Sequence, residues 1–337
     1  MSFAPVGILG SGMITGVGLD AEASCAAIRG RIDGFRESVF VSANGDPLVS
    51  AEIPRDDLGW GADRLASLLA IVLRQCVDQV PDTDTATIPV LVCLPEEDRP
   101  GRLQDLGNPL FHRACELLGA AFHAESRLLP HGRVAGAMAL FAASDLLRQG
   151  AFDYVIVAGV DSYLNAVTLR HYFDEFRLLA PERSNGFIPG EAAGAILIGS
   201  PGLGGIECRA LGFAMEPTPI SESQPLRGDG LHAAITEALQ AAQCDWESIN
   251  LRIADVSGEH YRFREAAIAM MRSLRTHKEE LDMWHPADCI GEIGAAALPV
   301  MLGVALDAKQ KGYAPEGHIL LHLSNDDGRR AAMVLSQ

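Results

Sequence analysis

The chain has 337 residues, 48% hydrophobic and 21% charged, which excludes disorder and fits about two globular domains or one large duplicated fold. Its 27 Lys and Arg face 44 Asp and Glu, and the net charge of −17 argues against nucleic acid as a partner. The longest apolar windows, such as the 13 residues at 294–306, fall short of the ~20 needed to insert into a membrane.

The first 19 residues carry no side-chain charge, but five glycines interrupt them and no basic residue precedes the apolar stretch. They read as a buried strand and glycine turn over 6–18 rather than a signal peptide, and the expected compartment is the cytoplasm. A helix over 20–30 follows, with Asp20 as its N-cap. A longer helix covers 62–80, a strand 88–95, a helix 101–121 and a strand 126–130. A very apolar helix spans 133–150, a strand 152–162, and a loop and strand 186–199. The glycine-rich hinge PGLGG (201–205) separates a first half, 1–200, from a second, 204–337.

In the second half strands fall at 207–216, 251–258, 318–325 and 331–336, and helices at 230–242 and 259–274. A second very apolar helix covers 292–309. Each apolar helix opens on a glycine and one charged residue, Gly132–Arg133 and Gly291–Glu292. Helices apolar on every side belong between other layers. The fold class is therefore α/β, a duplicated five-layered arrangement (α-β-α-β-α) of two sheets with two buried central helices. Seven scattered cysteines without a CxxC spacing argue against a structural zinc or a disulfide framework, and no metal or cofactor is expected.

Three segments carry a family resemblance. They are VGILGSGMITGVGLDAEASCAAIRG, AASDLLRQGAFDYVIVAGVDSYL and SNGFIPGEAAGAILIG. The last is similar to DGFxxGEGAGxLxL, with Asn185 for the aspartate and Ala192 for the third glycine. Together they resemble the β-ketoacyl synthases of the thiolase superfamily over nearly the whole chain. The resemblance implies a thiolase-like fold and a condensing site of one cysteine and two histidines. Here the cysteine position, at the head of the first central helix, falls on Arg133, with no cysteine or serine within four residues. The first histidine position becomes Ser257, before Gly258, and the second becomes Glu292. The lysine position falls on Ala287, and the final glycine-rich loop becomes SNDDGRR, keeping only Gly328.

A guanidinium that stays protonated is no nucleophile. The resemblance therefore implies a catalytically inactive protein that binds, pairs with or adapts other proteins. It implies a dimer through 126–130, either a homodimer or a heterodimer with a synthase-like or other protein, with an acyl carrier protein as a further partner. One version resembles the chain-length factors of polyketide systems, and another is a bacterial secretion-system accessory. The competing reading is a divergent acyltransferase, 3-oxoacyl carrier-protein synthase or thioester hydrolase. It would use Ser257 with Asp255, Glu259 or His260, or His131, or a displaced cysteine. Arg133 and Glu292 are expected to meet as a buried bidentate pair in the former catalytic pocket.

Other segments have two readings each. His131 is either structural or a general base, and HGRV could hold an anion on Arg133 and helix N–H groups. His285 and Cys289 could form a metal pair. GSGMITG lacks the spacing of a dinucleotide loop. Phe173, Phe176 and Phe187 either shape an acyl pocket or belong to the core. RDDLGWGADR and PEEDRPGRLQD read as solvated loops, and RSLRTHKEELD (272–282) as an exposed helix end.

Overall fold

A computed structural model describes residues 3–42, 45–181, 183–221, 224–274, 278 and 281–336. Its first half runs β1 (Val6–Thr15), α1 (Ala21–Arg29), β2 (Arg36–Val41), β3 (Pro47–Ser50), α2 (Gly61–Val77) and β4 (Val90–Cys93). It continues through α3 (Asn108–Leu118), β5 (Arg127–Leu129), α4 (Ala135–Arg148), β6 (Tyr154–Ser162), α5 (Ala166–Asp174) and β7 (Glu191–Gly199). The second half runs β8 (Ile206–Met215), α6 (Asp229–Ala241), β9 (Ile249–Ala254), α7 (His260–Ser273) and β10 (Asp282–Trp284). It ends with α8 (Ala287–Ile290), α9 (Ala297–Gln310), β11 (His318–Ser324) and β12 (Arg329–Ser336).

The strand order is β10-β9-β11-β12-β8-β1-β7-β6-β4-β5. Counting the large sheet's strands within each half, both arrays read 3-2-4-5-1 from the outer edge inward. In both, the fifth strand is antiparallel to its two neighbours and the second, third and fourth are parallel. The expectation of two sheets needs correction here. The arrays are joined where Val6–Ile8 of β1 pairs with Ile206–Cys208 of β8, giving one ten-stranded sheet. β2 and β3 form a separate hairpin.

Side-chain alternation divides the core. Val155 and Val157 of β6, Ile196 and Ile198 of β7, and Leu321 and Met333 of β11 and β12 share one cluster with α4 and α9. Ile156, Ala158, Ala195 and Leu197 point the other way, against α2 and α3. Leu320, Ala332 and Val334 meet α6 and α7. Strands covered on both faces carry near-continuous apolar runs, which is why they were readable. The central helices are buried along most of their length. No helix among the described residues is long and apolar enough to cross a membrane.

Several boundaries shift from expectation. The helix expected over 101–121 contracts to Asn108–Leu118, and the hairpin and α5 were not expected, whereas the loop and strand expected over 186–199 end in the strand Glu191–Gly199. Of the charged run 272–282, residues 275–277 and 279–280 lie outside the described residues. Asp20 does cap α1, accepting from the Ala23 N–H at 2.7 Å.

Close approach of the central layers requires one particular glycine. A Cβ at Gly159 in β6 would sit 2.3 Å from the Ala295 carbonyl oxygen, at the head of α9. That contact is with backbone, which cannot swing aside. Gly159→Ala is therefore expected to lose about 1–3 kcal/mol of stability in urea unfolding. An unchanged midpoint would show that the helix head is free to retreat.

Candidate functional site

Each central helix begins with a single tight 3-10 turn rather than a direct α-helical start. Gly132–Val134 leads into α4 and Gly294–Ala296 into α9. Both turns open on a left-handed glycine, φ 62° at Gly132 and 50° at Gly294. This corrects the assumed symmetry: by turn position the counterpart of Arg133 is Ala295, and Glu292 precedes that turn by two residues. A Cβ on Gly132 would strike the Glu96 carboxylate, and one on Gly294 the Asp161 carboxylate.

The halves cap one another's helices. Asn325, just beyond β11, accepts from the Val134 N–H at 3.1 Å, while its own amide donates to the His131 carbonyl at 2.8 Å. Asp161, near the end of β6, accepts from the Ala295 N–H at 2.9 Å. Arg99 holds Asp161 with two bonds of 2.6 and 2.7 Å and stacks 4.6 Å above the Tyr163 ring. Orphan N–H groups of a helix start are thus satisfied across the junction of the halves.

Arg133 and Glu292 do meet. Arg133 Nε donates to Glu292 Oε1 at 3.0 Å and a terminal nitrogen to Oε2 at 2.8 Å, with both residues only 3% exposed. Glu292 also accepts from Ser257 Oγ at 2.7 Å and from the Gly294 N–H at 2.9 Å. Four donors saturate a carboxylate's lone-pair sites. The remaining Arg133 nitrogen donates to the Ser324 carbonyl at 3.1 Å and to Asp326 Oδ1 at 3.3 Å. Arg177 binds Asp326 Oδ2 at 2.7 Å and Glu259 through two further bonds, and Arg262 also donates to Asp326.

Charges follow from these contacts. Burial opposes ionisation of Glu292, but Arg133, Ser257 and the Gly294 N–H outweigh it and hold the carboxyl below its ordinary range. Burial likewise opposes ionisation of half-buried Asp326, and three surrounding guanidiniums overrule it and hold it well below the usual value. Burial works against the Arg133 cation, yet Glu292 and the other neighbours keep it protonated. Such a Glu292 is a poor base, and the proton of Ser257 points into an oxygen already engaged.

The other candidates do not join this centre as a catalytic set. His260 is exposed at the start of α7, with its N–H donating to Asn185 at 2.8 Å. Half-buried His131 has its imidazole pKa pushed down by burial and by Arg329. Phe187 is core, packed on Tyr163 and Tyr172 at 5.5 and 5.2 Å. Phe173 is half-buried beneath Arg183, and Phe176 is exposed. His285 Nδ1 lies 2.8 Å from Asp288, and burial pushes the Cys289 thiol up to about 11. Burial raises the thiols of Cys25, Cys76 and Cys208 to about 12 and Cys93 further still, so none of these is a thiolate near neutrality.

The cavity touching Ser257 and Glu292 is only about 20 Å³, close to the room needed by one water. Beside the charged network lies an open cleft of about 700 Å³, lined by Glu96, Asp98, Glu175, Glu259, Asp326 and Asp327 against Arg99 and Arg177. Both arginines are already committed to acids. Asp326 belonged to the loop singled out in the sequence. Arg99 lies in PEEDRPGRLQD, expected to be a solvated loop, but it is buried on Asp161, whose strand was read without a role for its acid. Arg177 and Arg262 gave no signal, because charged residues in unmarked segments read as solvated.

No family model matches this chain, and no curated protein matches it. Solved structures do, over the full length. The ishigamide ketosynthase/chain length factor is 17% identical with a TM-score of 0.80, covering 99% of each chain. A ketosynthase in complex with its chain length factor from Xenorhabdus doucetiae is 15% identical with a TM-score of 0.77, covering 99% of this chain and 98% of that one. A structure of a type II polyketide synthase acyl-carrier protein in complex with its ketosynthase is 14% identical with a TM-score of 0.80, covering 100% of both chains. These likenesses establish the fold, the thiolase-type fold of ketosynthases and chain length factors.

Proposed function

We propose that this ketosynthase-fold chain is a non-catalytic partner subunit, built from two halves that divide at 201–205. The observation that carries the reading is the Arg133–Glu292 pair, held by Ser257, Ser324 and Asp326 between the heads of the two central helices. The void beside it has no room for an acyl chain. Neither an arginine nor a saturated carboxylate can attack a thioester.

The partner reading draws on the solved structures, two of which pair a ketosynthase with a chain length factor. In this chain β5 lies at one end of the sheet, with β4 as its one neighbouring strand among the described residues and Leu128 and Leu129 half-buried. Such an edge invites another strand, and 126–130 is the surface we assign to a second synthase-like subunit or another copy of the chain. An acyl carrier protein is a weaker candidate. Its phosphate-bearing arm would have to enter a cleft with six acids, two of whose basic residues are already paired. Nothing in the residues or the likenesses favours a secretion-locus role.

The enzymatic alternative rests on Ser257, whose hydroxyl is 2.7 Å from a carboxylate. Incubation with acyl and malonyl thioesters is expected to give no turnover above buffer, with Ser257→Ala and His131→Ala indistinguishable from the parent chain. Hydrolysis or condensation abolished by either substitution would replace this reading with the enzymatic one.

A further inference from the structure

A second cavity, independent of the plugged centre, opens between the end of α1 and the segment that carries α8. Its volume is about 400 Å³, within the ~300–1,000 Å³ range of small-molecule sites. Val304, Pro286 and Ile28 contribute apolar wall, and Trp284 and Tyr313 form an aromatic corner with ring centres 6.0 Å apart and planes at 32°. Tyr313 is fixed by its hydroxyl, which donates to Asp307 at 2.7 Å.

Two cations border this corner. The Arg29 guanidinium lies 4.1 Å above the Tyr313 ring, stacked by its face, so its N–H edge is not used by that contact. Arg31 follows Gly30 in a left-handed conformation, φ 54°, at the position after a helix that glycine usually occupies. Neither arginine has an acidic partner within ion-pair distance among the described residues, in a chain with 17 excess negative charges. The acid in the wall, Asp288, faces His285 at 2.8 Å.

We infer that this cavity binds a small aromatic carboxylate, its ring against Trp284 and Tyr313 and its carboxylate on the N–H edges of Arg29 and Arg31. A planar fork matches a carboxylate bidentately, and the aromatic corner supplies apolar area for the ring.

The probe is 2-naphthoate, titrated into the full chain by calorimetry and followed by intrinsic fluorescence, with 2-naphthamide as its uncharged counterpart. Saturable one-to-one binding is expected, with quenching that disappears in Trp284→Phe. The amide should bind at least about tenfold more weakly, and Arg29→Ala/Arg31→Ala should weaken naphthoate by a similar factor. Both arginines are exposed, so that variant should keep the parent's circular dichroism and melting profile. Equal affinity for acid and amide, undiminished binding by the double variant, or no saturation at millimolar naphthoate would each overturn the assignment. None of these outcomes bears on whether the chain has acyl-transfer activity.

Discussion

Arg133→Ala and Glu292→Ala should each destabilise the protein by about 3–5 kcal/mol, because each strands the other's charge in a dry interior. The double replacement Arg133→Met/Glu292→Leu should recover most of that loss. Two charges taken from water together offset much of their mutual attraction by desolvation, so an apolar pair of similar volume is close to neutral. Recovery will be incomplete, since Ser257, the Gly294 N–H and Asp326 each lose a partner. In a double-mutant cycle in urea closed with Arg133→Met and Glu292→Leu as the single variants, the double should be more stable than either single, a coupling of at least about 3 kcal/mol. Additive losses would mean that the two residues act separately and that the bidentate geometry contributes little.

The second large effect concerns acid. His322 is 1% exposed on β11, and neither ring nitrogen has a hydrogen-bond partner among the described residues. Burial, with Arg252 and Arg330 nearby, lowers its pKa from 6.5 to about 3. As pH falls through 6.5 the unfolded chain takes a proton that the native chain refuses, so this residue removes stability down to about pH 3. Buried Asp255 behaves oppositely. Burial outweighs Arg133 and Arg262 and raises its pKa from 3.8 to about 6, so the native chain takes its proton first and gains stability as pH falls from 6 to about 4.

Between about pH 4 and 6 these two contributions oppose each other, each worth about 1.4 kcal/mol per pH unit. Relative to the parent, His322→Leu should gain stability progressively as pH drops from 6.5 toward 3. Asp255→Asn should forgo the gain that the parent makes between pH 6 and 4, losing about 3 kcal/mol relative to it over that window. Urea titrations across the range read both differences. Parallel curves for either variant and the parent would contradict the assignment. Glu52 and Glu96, also raised by burial, act in the direction of Asp255 but are present in all three proteins. The depressed Glu292 and Asp326 contribute stability that is present above about pH 4 and lost in stronger acid.

Much of the frame was legible because it is written in apolar runs. YVIVAGVDS reads as a strand covered on both faces, and the helices at Ala135–Arg148 and Ala297–Gln310 are too apolar to lie at a surface. The β2–β3 hairpin was not legible. Its Val39 and Val41 are 84% and 61% exposed, so RESVFV presents no buried face for a periodicity argument to find. The ion pair could be anticipated because both residues stand at marked glycines heading conspicuous helices. That the two are not equivalent turn by turn could not, since the three-residue offset of Gly291–Glu292 from Gly294–Ala295, the true counterpart of Gly132–Arg133, appears only once the 3-10 turns are seen. The convergence of Arg177 and Arg262 on Asp326 joins positions 149 and 64 residues apart, and no local pattern announces it.

Intact-mass spectrometry after exposure to an excess of acyl thioester tests most directly whether anything at the junction of the two central helices can be acylated. The unmodified mass is expected at every time point, with Arg133 and Glu292 filling the junction of the central helices and Ser257 bound to a carboxylate already engaged. A stoichiometric acyl adduct that survives denaturation, mapped by peptide sequencing to Ser257 or any cysteine, would contradict it.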